Sequence, residues 1–491
     1  MSSIGTRGED VARGRPRHRG VALAAALLVA AAFVLAYRKD PILIPLAAVL
    51  AAMAAVAVRW PLFGLAGLTL MLVSNLSQAL ISGFGLPSTA KLALPGLVAL
   101  LALRYLLHGE RPYVPWAFGA LSAAFVAVQL VAASGALHWQ VAFGLVEEHV
   151  KDVAVVLVGL AFLHHRGAFE SVVDTVLVTL AALCTLGAVQ YVGGEMFGEF
   201  RGFSQIHDGN GRFSGPIGDP NFFGAILAFG IPLGVHRFYD ARGPRLLAWG
   251  AVLALLLFGL AATQSRGGMI AMLIGVAVLL PFLSRVQVSV TLLIGVLAVM
   301  AVATTLDQAQ LDRLSGVFDA VAAEGGVDRA TEGRLASWQV AWKLFAENPL
   351  LGVGPGNFNP YYQDTALELG LIFRGEDRSA HSLYLELLAE IGLVGLGAFL
   401  LILIAAGLSV ARAVRIARDR GEPRLARHYA AFGAGLAAYL TAMVFLHDSY
   451  PRFLLLTIGL GVELSRHARL RAPAVVSPDG PARPPGLAAP A

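Results

Sequence analysis

Three arginines and one histidine are set in short blocks that also carry glycines or turn signals. Arg212 lies in Gly211-Arg212-Phe213-Ser214-Gly215-Pro216-Ile217-Gly218-Asp219-Pro220-Asn221. Arg266 lies in Gln264-Ser265-Arg266-Gly267-Gly268, and Arg334 follows Gly333, four residues before Trp338. His381-Ser382 is followed by nine residues and then Gly392-Leu393-Val394-Gly395. A guanidinium offers a planar fork of donors that matches phosphate oxygens, and it stays charged at any working pH. Several of them at one membrane face would hold a lipid-linked pyrophosphate and stabilise the negative charge that develops as it leaves. A histidine near neutral pKa is suited to take a proton from an attacking hydroxyl.

Plainer readings stand beside these. An arginine at a helix end commonly reaches for headgroups, and His381 alone fits a helix-terminus role. Arg266 resists the plain reading, because two glycines that permit close backbone approach follow it. Gly352, Gly354 and Gly356 have the spacing of a nucleotide loop but no strand–helix frame, so they read as a structural turn, as does Asn348-Pro349. No carboxylate/His cluster with metal-ligand spacing is visible, and the chemistry above needs neither metal nor cofactor.

The elements that must position these residues are membrane helices. Of 491 residues 57% are hydrophobic and only 14% charged, with mean hydropathy +0.69. A soluble domain carries about 25% charged residues, so lipid must solvate much of the surface. The single cysteine, Cys184, excludes a disulfide framework. Nothing resembles a nucleic-acid patch. Apolar runs long enough to cross the bilayer predict an all-α polytopic membrane protein with about 12–14 transmembrane helices. The basic start, residues 1–19, precedes a run that reads as a retained anchor.

The division expected is N-terminal transmembrane helices over 20–192, a core over 193–395, C-terminal helices over 396–471 and a disordered Pro/Ala-rich tail over 472–491. Within the core, residues 305–380 form one long loop. Its Trp338, Trp342, Leu344 and Phe345 at helical spacing predict an amphipathic helix against the bundle or the membrane. The charged segment Val141 to Asp152 reads as a loop or interfacial helix. Arg104, Arg111, Arg237, Arg242, Arg245, the six arginines from Arg412 to Arg427, and Arg466, Arg469 and Arg471 fall on one side with the basic start. The positive-inside rule makes that side cytoplasmic and puts all four blocks on the other.

In this order, with the long loop before the histidine, the four blocks resemble the O-antigen ligase and O-antigen polymerase superfamily. His381-Ser382, nine residues, Gly392 and Gly395 are similar to the ligase signature. The resemblance covers about Gly211 to Gly395. It implies a metal-independent, inverting, membrane-embedded glycosyltransferase of the bacterial inner membrane, its active site facing the periplasm. Its donor would be a glycan on undecaprenyl pyrophosphate, and its acceptor lipid A-core, another surface acceptor, or a second lipid-linked repeat unit. Other envelope polysaccharide assembly proteins would be its partners besides membrane lipids. Carried over by position, Arg212 and Arg266 would hold the pyrophosphate, Arg334 would bind phosphate or acceptor, and His381 would be the base. Asp219 and Asn221 would shape a loop, and His447, Asp448, Tyr450 and Arg452 resemble a further polar cluster in some relatives. A ligase, a polymerase and a lipid-linked oligosaccharide flippase remain the competing readings. The gathering of suspicious residues at one face favours a one-sided site over a transport path.

Overall fold

The computed structural model describes residues 56–85, 90–193, 200–207, 211–305, 329–371, 378–447 and 451–471. The expected anchor, most of the acidic stretch before Glu332, and the tail lie outside them. The described chain is helical apart from a two-residue antiparallel hairpin, β1 (Ile206–His207) and β2 (Arg212–Phe213).

Before the hairpin come α1 (Pro61–Val73), α2 (Leu76–Phe84), α3 (Ala90–His108), α4 (Trp116–Ser134), α5 (Trp139–Leu160) and α6 (Ala168–Gly193). After it come α7 (Pro220–Asp240), α8 (Pro244–Thr263), α9 (Arg266–Leu279) and α10 (Arg285–Thr305). The rest is α11 (Arg329–Glu347), α12 (Phe358–Glu368), α13 (Leu383–Asp419), α14 (Pro423–Ala442) and α15 (Pro451–Leu470). Among the described residues, α4, α6, α7, α8 and α13 are each long and apolar enough to cross a membrane, and the α1–α2 pair, bent by 60°, adds a sixth candidate. This is an all-α polytopic membrane protein. Among the described residues the remaining apolar runs also form helices, but they are shorter or carry more charge.

The bundle is built around α7. Every residue from Phe222 to His236 is buried, so this helix has no lipid face and must be enclosed by its neighbours. Helices α8, α9 and α14 pack on it. Small residues allow the closeness: a Cβ on Gly435 of α14 would lie 2.5 Å from the Phe229 carbonyl oxygen, the kind of contact that lets membrane helices gain van der Waals energy without a hydrophobic drive. Helix α13 packs on α15 and α4.

The segment Val141 to Asp152 is neither a loop nor a separate interfacial helix. It lies inside the continuous α5. Glu147 and Lys151 pair on the exposed face one turn apart, while Asp152 is buried and takes Arg452 of α15 at 2.6 Å. A charge with a distant partner is compatible with a helix that its local sequence argues against.

Helix α11 buries Val340, Ala341 and Leu344 together with Phe358 and Tyr362 of α12, and it packs on α13. Trp342, 59% exposed, stands on the outer face beside Phe345. The predicted amphipathic helix is therefore present, with one of its tryptophans turned away from the buried stripe.

Candidate active site

The four blocks meet where the N-termini of α7, α9 and α13 converge on the turn after α14. Asp219 is the N-cap of α7, and its Oδ1 accepts from the backbone N–H of Asn221 (2.6 Å) and Phe222 (3.2 Å), with Pro220 at the first helical position. Asp219 therefore shapes this loop, satisfying donors that the helix cannot. Asn221 has a second task. Its Oδ1 accepts from Arg212 Nη2 at 3.0 Å, while Arg212 Nε donates to the Thr263 carbonyl at 3.0 Å. The β2 guanidinium is thus oriented by the start of α7 and the end of α8. Beside it, Phe213 is fully buried, edge-on to Phe223.

Removing the Asp219 carboxylate should loosen both the helix start and the Asn221 seat of Arg212. Asp219→Ala is expected to cost about 1 kcal/mol, and Asp219→Asn much less. Thermal denaturation of the two purified variants compares them directly.

Arg266 is the first residue of α9. Gln264 closes α8 in the left-handed region at φ 50°, and Ser265 caps α9 through an N–H···Oγ bond from Gly268 (3.2 Å). The glycines that follow are spacers. A Cβ on Gly268 would sit 3.2 Å from the Gly224 backbone, and one on Gly267 would sit 3.3 Å from the Phe445 ring. Arg266 therefore stands at a helix N-terminus, where the macrodipole adds to its own positive charge.

His381 also occupies the left-handed region, φ 50°, an arrangement that costs energy in a non-glycine residue and must be imposed by its surroundings. Three hydrogen bonds fix the chain just behind it. Leu383 N–H, at the start of α13, meets the carbonyls of Met443 (3.0 Å) and Leu446 (2.6 Å), and Tyr384 Oη donates to the Leu440 carbonyl at 2.8 Å. The His381 ring stands edge-on to His447 at 5.6 Å, and His447 stands edge-on to Phe222 of α7 at 5.2 Å. Burial pushes the His381 pKa down to about 4, helped by His447, Arg334 and Arg378 and opposed by Asp219. His447 is lowered by burial as well, against the opposing charge of Asp219. Both rings are neutral at physiological pH.

The structure thus gathers His381, Arg334 and Asp219, and reaches Arg212 through Asn221 and Arg266 through the Phe445 turn. Two neighbours were missed or undervalued in the sequence. Arg378 lies three residues before His381, inside a charged stretch that masks it. His447 joins the site, whereas Arg452 of the same turn faces Asp152, and Asp448 and Tyr450 lie outside the described residues.

The glycines of the third and fourth blocks lock together. Helix α13 breaks at Gly392, φ 63° and ψ −164°. The carbonyls freed there, of Ala389 and Glu390, accept from Val353 N–H (3.0 Å) and Gly354 N–H (2.8 Å). Beyond the break, Leu393 and Val394 N–H donate back to the carbonyls of Pro349 (2.9 Å) and Leu350 (3.2 Å). The Glu390 carboxylate accepts from Gly356 and Phe358 N–H, at 2.8 and 3.1 Å. Gly352, Gly354 and Gly356 all have positive φ. The segment is the structural turn that its sequence predicts, and its binding partner is a broken helix.

The family model described as O-antigen ligase matches residues 251–400. The segment is similar to the O-antigen ligase family. No curated protein matches the chain. The matched segment begins within α8, contains Arg266, Arg334 and His381, and ends just past the α13 break. Arg212 lies upstream of it and is tied to it through the Thr263 carbonyl. The match to this family over residues 251–400 supports an activity of O-antigen ligase or polymerase type.

Proposed function

We propose that the chain transfers a glycan from undecaprenyl pyrophosphate to an acceptor hydroxyl at the periplasmic face of the inner membrane, in the manner of an O-antigen ligase. The observation that carries this reading is the half-buried His381, edge-on to His447 and within electrostatic reach of Arg334 and Arg378, at the convergence that also holds Arg212 and Arg266. The His381 ring takes the proton of the acceptor hydroxyl. The acceptor oxygen bonds to the anomeric carbon as the bond from that carbon to the phosphate oxygen breaks, with inversion. The electron pair leaves on undecaprenyl pyrophosphate, where Arg212 and Arg266 stabilise the new charge. No metal enters this scheme. A bound diphosphate would also offset the positive charges of Arg334 and Arg378, two of the groups that hold the His381 pKa down, so the base strengthens when the donor arrives.

A deletion strain complemented with wild type, Arg266→Lys or Arg266→Ala tests the proposal, with surface and undecaprenyl-linked glycans read by gel and mass spectrometry and membrane abundance by blot. Arg266→Ala is expected to lower transfer by about 10²–10³-fold, and Arg266→Lys to retain part of it, since an ammonium keeps the charge but loses the fork. Long lipid-linked chains that accumulate without transfer identify a ligase, and accumulated single repeat units identify a polymerase. Normal glycan from a well-expressed Arg266→Ala variant would remove the catalytic reading and favour transport.

A further inference from the structure

At the other end of the bundle a second cluster of titratable side chains is assembled from two loops. Asp174, near the start of α6, pairs with Arg237, near the end of α7, at 2.6 Å, so this end of α7 lies a full helix length, about 30 Å, from the Asp219 cap. The turn between α5 and α6 contributes His164 and His165, and the segment after α3 contributes Glu110.

One carboxylate oxygen faces both rings. Glu110 Oε1 lies 3.1 Å from His164 Nε2 and 3.3 Å from His165 Nδ1, and the three ligand atoms fall within 4.8 Å of one another. The other oxygen is taken: Arg104 Nε donates to Oε2 at 2.6 Å. His164 Nδ1 lies 3.0 Å from the Ala161 carbonyl oxygen. A carbonyl can only accept, so Nδ1 carries a proton, and a ring holding that proton alone turns a lone pair at Nε2 toward the carboxylate.

We propose that Glu110, His164 and His165 bind a divalent transition-metal ion of the zinc class. Four ligands at about 2.0 Å around a tetrahedral ion stand about 3.3 Å apart, and the two nitrogen-to-oxygen separations have that length. Imidazole nitrogens with one carboxylate oxygen suit zinc among the common divalent ions. A ring whose far nitrogen donates to a backbone carbonyl, and a carboxylate fixed by a second hydrogen bond, are the outer-shell supports that orient metal ligands. His164 and His165 also line a cavity of about 700 Å³ with Arg166 and His467, which gives an ion access and leaves room for water at the fourth position. The ion would tie the segment after α3 to the turn between α5 and α6. It takes no part in glycan transfer and does not depend on that reading.

The rival occupant is a proton on His164, which makes the group a plain ion pair. The full-length chain, purified in detergent and stripped with a chelator, should take up one zinc per chain when titrated with zinc alone. Cobalt(II) in its place should give the intense visible absorption of a tetrahedral site. His164→Gln and Glu110→Gln should each weaken uptake by more than about 100-fold, beyond what loss of an outer-shell partner does. Zinc uptake by wild type no greater than by His164→Gln would overturn the proposal. Should a variant fail to reach the membrane, the wild-type cobalt spectrum decides, and an absent or octahedral spectrum rejects the site.

Discussion

His381→Ala is expected to lower glycan transfer by about 10²–10⁴-fold, the usual contribution of a positioned general base, with little change in membrane abundance. The ring is half-buried and stands edge-on to His447 at 5.6 Å. The pH dependence is the sharper test. The functional form is the neutral ring, and burial together with the neighbouring cations pushes its pKa down to about 4. In kcat/KM, which reports the free enzyme, activity should therefore persist as pH falls through 6.5, where an ordinary histidine would already be half protonated, and fail only nearer 4. Folding stability runs the same way: the unfolded chain takes up a proton near pH 6.5 that the folded site refuses, so stability declines as pH drops from 6.5 toward 4. An in vitro transfer assay with a lipid-linked donor across that range measures the acid limb. A kcat/KM limb at 6.5 would mean that His381 is not the titrating base.

The largest loss of stability is expected from Gly392→Ala. Its φ of 63° with ψ of −164° falls in a region that glycine alone occupies readily, at a cost of about 1–3 kcal/mol for another residue. A Cβ there would lie 2.3 Å from the Leu350 carbonyl carbon, and backbone cannot yield as a side chain does, adding about 1–3 kcal/mol more. The variant should show a large drop in membrane abundance and in melting temperature. Gly397→Ala, five residues along the same helix, is the control. A Cβ there meets nothing within 4 Å, so the substitution should be neutral or slightly stabilising. Equal behaviour of the two variants would mean that the helix break does not hold the loop.

The helices were legible because apolar runs of bilayer length have few alternatives. The site was legible where its residues carried their own local signal. Asp219-Pro220 announces a helix start, Ser265 caps the helix that Arg266 opens, and the three glycines of 352–356 announce a turn. What failed to show was set by tertiary partners. Asp152 looked like loop material because Arg452 is 300 residues away. Glu110 is separated by 54 residues from His164, so no spacing rule could join them. The seat of Arg212 on Asn221 is close in sequence, yet it requires the Asp219 cap to form first. His381 to Gly392 is about three turns of helix, and only the folded chain shows why that interval matters: one end carries the proposed base and the other carries the break that grips the preceding loop.

That grip determines which piece of the protein could be exchanged as a unit. Because Pro349 to Gly356 and Ala389 to Val394 share their backbone hydrogen bonds, the loop helices α11 and α12 and the first turns of α13 form one cassette. A recombination seam at the outer end of the loop would sever those bonds and leave carbonyls stranded beside lipid. A seam before Arg329 and after Gly395 would carry the whole clasp across intact. Diversity in whatever this unit recognises can therefore be inherited in one block, over a helical bundle that stays unchanged.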